Sequence, residues 1–493
     1  MRTQCVLSIV LLLASGCSLV VDDNVTQCTI DSDCEHFGSH PTCQQGVCVA
    51  SGLGPDGCFF GVPTSQDEFA NQCTTSQTFQ FDNCARLGMC DDGALATAFA
   101  TALPPANLGT VPPPVNNQPT PTVNCVDISS NVIYVTGSTN LPPLIKAVQP
   151  LLYATSPAYT VVFAPQTSCK GAASIYDPDP AKHLIKNVVN NYAFYYDAAG
   201  VQTFCLLAPT GTTVDVGETD VYPSSCGYQP AAGIADYAGP IQAITFVVPS
   251  GAKQTTISAE AAHLVFAAGG NSGTAAPWID PHYYFVRSSG TGTVQLPSRA
   301  IGLDPTMWWG IDRLSATNLV ASMEAIDPSL AEGVIGLLSS DFADKSRANL
   351  RELAFQQRGQ KFGYLADSTT ESYDKANVRD GHYPIWGAIH LTAATTNGVP
   401  SQAASALITQ FTVPKLDQNL VAAIVQSGFV PACAMNVMHT AEVGPLTAFT
   451  PAFGCGCFYD KRVNGATSCQ SCGGPGDCSS STPACNYGYC EKQ

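Results

Sequence analysis

The stretch VRSSGTGT, Val286 to Thr293, places an arginine beside hydroxyls and glycines, directly after the aromatic segment His282 to Phe285. Such a run is either slack surface loop or a cradle of hydroxyls and backbone N–H groups around an anion. Three other places put similar polar groups behind an apolar run. Gly137-Ser138-Thr139-Asn140 closes NVIYVTG, and Gln166-Thr167-Ser168-Cys169-Lys170-Gly171 follows TVVFA. Asp215-Val216-Gly217-Glu218-Thr219-Asp220 follows a short strand, Thr212 to Val214. In α/β sheets, ligands collect outside the carboxyl ends of strands, where loops feed into helix starts. Catalytic chemistry finds no footing here. There is no G-x-S-x-G elbow, no nucleophile that can be matched to a base, and no His-rich cluster with metal spacing. The sequence therefore predicts a protein that is not an enzyme and needs neither metal nor cofactor.

Loops of this kind need a frame, and the middle of the chain alternates strand and helix signals. Asn131 to Gly137, Thr160 to Ala164 and Ala243 to Pro249 are β-branched or aromatic runs that predict strands. Leu144 to Ala154 is a helical pattern opened by Pro142-Pro143. Ser258 to Ala268 predicts a helix with Ser258 as N-cap and Glu260 in its first turn. Helical patterns recur at Asn318 to Ala325, Lys345 to Gln356 and Gln402 to Thr412. The alternation predicts an α/β body of two lobes with largely parallel sheets. Trp308-Trp309 belongs in the second lobe's core or lines its cleft. Asn377 to Gly387 (NVRDGHYPIWG) reads as a buried strand with a bulge.

A chain of 493 residues exceeds one ordinary core. Hydrophobic content of 45% with 12% charged residues predicts that most of it folds. The net charge of −17 excludes nucleic acid and anionic membrane surfaces as general partners, and means that any anion site must be local.

At the N-terminus, Arg2 and the apolar run Val6 to Leu13 read as a signal too short to span a bilayer. Leu13-Ala14-Ser15-Gly16-Cys17 resembles a bacterial lipoprotein box, which implies cleavage before Cys17 and lipidation of that residue. Ser18 follows with no adjacent Asp, which by the same resemblance points to the outer membrane. Cys5 and Cys17 aside, 22 − 2 = 20 cysteines remain, an even number that predicts disulfides of undetermined connectivity. Cys469-x-x-Cys472 and Cys455-x-Cys457 are accordingly expected as structural bridges. The pattern Asp-Cys, Pro-x-Cys, four residues, Cys occurs twice, at Asp33 to Cys48 and at Asp477 to Cys490. These segments resemble the disulfide-knotted repeats of myxobacterial surface lipoproteins. The predicted layout is a signal peptide over 1–16, a Cys-rich region over 17–102 and a Pro-rich linker over 103–122. A two-lobe body follows over 123–460, with lobe I as 123–245 and 376–460 and lobe II as 246–375, and a Cys-rich module over 461–493 ends the chain.

In order and content the body resembles periplasmic phosphate-binding proteins, the type 2 solute-binding receptors of phosphate ABC transporters (PstS-like). The likeness rests on the Ser138 loop, the Ser168 loop and VDVGETD, which matches a segment like VDFGASD. It continues through the crossover Pro240 to Pro249, the helix with Pro277-Trp278-Ile279-Asp280-Pro281, and Arg287 ahead of Ser289-Gly290-Thr291. It implies a hinged two-lobe fold closing on an oxyanion. Arg287 would then be the guanidinium fork, Ser289, Gly290 and Thr291 the donors at a helix start, and Ser138, Thr139 and Ser168 the donors of the facing lobe. Asp220 would select a protonated oxyanion, because a carboxylate only accepts. The sequence departs from the family in a shorter spacing after Arg287, and in TSCKG, which brings in Lys170 and a disulfide through Cys169.

The expectation is thus a monomeric, lipid-anchored solute-binding protein for a small oxyanion, phosphate first. An ABC permease or another surface protein would be its partner, and its contact with the membrane would be through the lipid alone. The alternative is a surface structural or adhesive lipoprotein that kept the fold without the ligand, a reading favoured by the Cys-rich modules at both ends.

Overall fold

The computed structural model describes residues 57–90, 120–188, 191–270, 275–465 and 467–492, with short stretches between 26 and 54 and residues 102–105 and 108. Cys17, the signal run and most of the expected linker lie outside the described residues. Among the described residues no helix is long and apolar enough to cross a membrane. The chain forms two compact units, Met1–Val62 and Pro63–Gln493. Every cysteine from Cys28 onward is disulfide-bonded.

The small unit is built by cross-links rather than by a core. Bridges Cys28–Cys43 and Cys34–Cys48 pin a short 3-10 turn, Asp31–Phe37, to a hairpin in which Cys43 faces Cys48. The C-terminal module of the large unit repeats this plan with Cys472–Cys485, Cys478–Cys490 and the hairpin pair Cys485 and Cys490. The shared Asp has a local reason. Asp33 accepts the backbone N–H of Thr29 at 2.7 Å and of Ile30 at 3.2 Å, and Asp477 accepts those of Gly473 and Gly474 at 2.7 and 3.1 Å. The hairpins turn at Gly46 and Gly488, with φ of +89° and +87°, a region open mainly to glycine.

In the large unit one mixed sheet runs through both halves of the body. Val132–Ser138 lies between Thr160–Gln166 and Val216–Thr219, parallel to both, and Ala193–Tyr196 and Gln202–Cys205 extend that edge antiparallel. In the other half Tyr284–Val286 pairs in parallel with Ile311–Asp312 and Ile335–Ser339. Two long antiparallel strands, Ile234–Pro249 and Trp386–Thr396, join the halves. The first pairs with the second as far as Ala243, then with Ile335–Ser339 from Ile244 onward. Its register shifts between Ala238 and Ile241, where Gly239-Pro240 interrupts the ladder because proline has no N–H to donate. Each half has its own core. One is set around Val148, Phe163 and Ile389, the other around Phe246, Phe266, Trp278 and Trp308. Trp308 therefore belongs to the core, with its indole N–H donating to Ser298 Oγ at 2.7 Å.

The helix Ala259–Ala268 starts where its cap predicts, with Ser258 Oγ accepting from Ala261 N at 3.0 Å, and Gln402–Thr412 is helical as expected. Two of the expected elements fail. Lys345 to Gln356 is not a helix. After a short helix, Ser340–Lys345, the strands Leu350–Glu352 and Ala354–Gln356 pair with Val247–Pro249 and Thr256–Ser258. Leu350, Leu353, Ala354 and Phe355 are all buried, an apolar run whose tertiary pairing overrides its helical spacing. In NVRDGHYPIWG the front is a short helix, Ala376–Asp380, ended by Gly381 at φ +93°, and only Trp386 onward is strand. Residues 63–90, placed by sequence in the Cys-rich region, pack within the large unit, where Phe79 bridges to Gly363.

Candidate functional site

Three of the four polar strand ends meet at one carboxylate. Asp220 follows directly on the strand Val216–Thr219, so the segment read as a loop is itself the strand that delivers it. Asp220 Oδ2 accepts Ser138 Oγ at 2.6 Å, from the end of Val132–Ser138, and Ser168 Oγ at 3.1 Å, from the first turn of the helix Ser168–Tyr176. Ser168 Oγ in turn accepts the backbone N–H of Gly292 at 2.9 Å, at the start of the helix Gly292–Ile301 in the opposite half. Cys169 N donates to the Gly290 carbonyl at 3.0 Å across the same seam. Asn140 continues the network from Asp220 (3.4 Å) to Gln242 Oε1 (2.9 Å), and Gln242 reaches Asp341 at 3.4 Å. Gln242 sits on a crossover strand, so the polar chain links the halves through the element that joins them.

The electrostatics show what fills the seam. Burial, then the neighbouring Asp220 carboxylate, pushes the Glu218 carboxyl well above its usual range. This favours the protonated form of Glu218, whose Oε2 accepts Ser138 N at 2.6 Å. Burial also raises Asp220, against the bonds from Ser138, Glu218 and Ser168 that favour its charge. Packing here is tight. A Cβ on Gly292 would stand 2.6 Å from Asp220 Cβ, and one on Gly171 would stand 1.7 Å from the Glu218 carbonyl oxygen. A helix start favours a negative charge. Here the charge beside the helix Gly292–Ile301 is the protein's own Asp220.

The remaining predicted residues are placed differently. Arg287 is buried, its Nη2 donates to the Leu314 carbonyl at 3.0 Å, and its Nε has no hydrogen-bond partner among the described residues. Burial lowers its pKa, opposed by the charges of Asp312 and Asp220. Thr139 and Ser289 are exposed. Thr291 Oγ1 donates to the Ser288 carbonyl at 2.8 Å, and Gln295 Nε2 donates to the Ser289 carbonyl at 2.7 Å. Gly290 lies along the seam, its Cβ position 3.2 Å from Thr167 Oγ1. Cys169 is bridged to Cys226, which fixes the loop carrying Ser168. Sequence reasoning missed Glu218 and Gly292. The signal was present in both cases, an acid inside the β-branched run VDVGETD and a second glycine in SGTG.

No protein-family model matches the chain, and no curated protein matches it. Among solved structures it resembles an ABC-type phosphate transport receptor from Vibrio cholerae, with 12% identity and a TM-score of 0.40 over 61% of this chain and 100% of that one. It also resembles PstS from Borrelia burgdorferi, with 13% identity and a TM-score of 0.35 over 61% and 98%. The C206 mutant of OxyR from Corynebacterium glutamicum matches with 12% identity and a TM-score of 0.32 over 60% and 65%.

Proposed function

We propose that this is an extracytoplasmic solute-binding protein, anchored by lipid at Cys17 in the outer membrane, that takes a small protonated oxyanion, phosphate first, between the two halves of its body. The observation that carries the reading is that Ser138 Oγ and Ser168 Oγ both donate to Asp220, while the Gly292 N–H of the opposite half donates to Ser168 Oγ. These are donors suited to anion oxygens, set beside an acceptor suited to the ligand's hydrogen. Each serine hydroxyl has one hydrogen and gives it to Asp220, so the ligand must replace these bonds, worth roughly 1.5–3 kcal/mol each, rather than add to them. Closure without ligand then has Asp220 standing in for the oxyanion. Isothermal titration of the full chain with phosphate, sulfate and arsenate tests this. Heat with phosphate and arsenate but not sulfate, weakened in Asp220→Asn, is the expected result.

A second reading has its own observation. The seam donors already satisfy one another, and a matched disulfide hairpin sits in each terminal region. A surface structural or adhesive protein would need no ligand at all. Folded, ligand-free protein that gives no heat with any of the three anions favours that reading and sinks the first.

A further inference from the structure

Beside the seam lies a cavity of about 730 Å³ that the oxyanion reading does not use. Its size falls within the range of small-molecule sites. Its apolar lining comes from Ala173, Leu184, Ile185 and the bridged Cys169. Tyr228 offers its ring, because its hydroxyl is turned away to Asp177 Oδ2 at 2.7 Å. Lys182 also lines the cavity and is paired with Asp177 at 2.8 Å. Lys170 is different. It is exposed at this cavity, and its ammonium has no hydrogen bond or ion pair among the described residues. In a chain of net charge −17, an unpaired cation over an apolar floor is a local exception to the field. Ser288 and Gly290 complete the wall from the opposite half, so the cavity is whole only while the seam is closed.

We propose that this cavity is a second binding site, for a small organic carboxylate with an apolar body. The carboxylate meets Lys170, and the body lies against Ala173, Leu184, Ile185 and the Tyr228 ring. One cation suits a monoanion, and the apolar floor gives nothing to a bare inorganic ion. TSCKG accounts for both features, since it places Lys170 at the cavity and Cys169 in the bridge that forms part of the wall. The inference does not rest on the oxyanion reading of Asp220.

The test is titration of the full chain with phenylacetate and with hexanoate, followed by the variants Lys170→Glu and Ala173→Trp. Saturable binding of at least one probe is expected. The charge reversal should weaken it tenfold or more, and the tryptophan, which fills the cavity from a half-buried helix position, should abolish it. Thermal unfolding at unchanged midpoint checks that both variants are folded, and Lys170→Ala, with a milder loss, stands in should the reversal not fold. No binding of either probe overturns the proposal, and so does binding that ignores both substitutions. A parallel phosphate titration separates the two sites. Silence with phosphate alongside Lys170-dependent phenylacetate binding removes the seam reading and leaves this one standing. Phosphate binding without either carboxylate does the reverse.

Discussion

Gly292 approaches Asp220 so closely that a Cβ on the glycine would lie 2.6 Å from the aspartate Cβ and 2.8 Å from its Oδ2. The contact joins the start of a helix in one half to a strand end in the other. Closure depends on the missing side chain.

Gly292→Ala should therefore pry the seam apart. Overpacking of this kind costs about 1–3 kcal/mol, which urea denaturation would read as a lower midpoint with little change in slope. An unchanged midpoint would mean that Asp220 can move aside freely, and that the seam is not held by this contact.

Glu218 separates charge from hydrogen bonding. Burial and the neighbouring Asp220 favour its protonated form, so Glu218→Gln should change stability by less than about 1 kcal/mol. Glu218→Ala strips the acceptor from the buried Ser138 N–H and should cost about 1–3 kcal/mol. A glutamine as costly as the alanine would show that Glu218 is ionised in the folded protein.

Two buried groups give opposite pH dependence. Burial pushes Glu442 up to about 7 from 4.5, although it accepts Tyr222 N at 2.7 Å and Ser225 Oγ at 3.1 Å. Its contribution is full below pH 4.5 and is lost as pH rises through 7, about 3 kcal/mol in all. Burial holds His439 down to about 4 from 6.5, with its ring 4.1 Å from that of Trp386. Its contribution is full above pH 6.5 and is lost as pH falls through 4, by a similar amount. Across the overlap the two nearly offset. Glu442→Gln should thus gain stability from pH 4 to 6.5, while His439→Gln should lose it from pH 4.5 to 7. Urea midpoints across that range decide, and slopes of the same sign in both variants would refute the assignment.

Lys375 is buried with its Nζ 2.7 Å from Asp344 Oδ2 and 2.8 Å from Asp367 Oδ2, and Arg347 pairs with the same two acids. Burial alone would lower the ammonium, but Asp367, Asp344 and Glu352 hold it charged and well above its usual range. Lys375→Met strands these carboxylates and should cost about 3–5 kcal/mol. A loss under 1 kcal/mol would mean that Arg347 alone neutralises them.

Local rules carried the sequence reading where local chemistry decides. Ser258 caps its helix because its hydroxyl meets Ala261 N, and the cap could be read three residues away. The polar strand ends could be picked out singly because each follows an apolar run. Their meeting could not, since it depends on crossover strands whose pairing spans Ile234↔Ala394 and Ile244↔Ser339. The same non-local pairing turned Lys345 to Gln356 from a helical pattern into strands. Arg287 shows the limit most plainly. Its type and position suggested an anion fork, but nothing local could show that its Nη2 meets the backbone carbonyl of Leu314, twenty-seven residues away.

The matched cysteine hairpins have a mechanical consequence. Through the Cys28–Cys43 bridge, the covalent path from Cys28 to Cys48 runs over only 48 − 43 = 5 residues. Through Cys472–Cys485, the path to Cys490 likewise runs over 490 − 485 = 5. At about 3.5 Å per extended residue, each module can lengthen to only about 20 Å under load, against about 63–70 Å if its bridges were reduced. Tension applied along the chain passes through these segments almost without extension, so each works as a stiff coupling, and reduction would convert it into a slack tether.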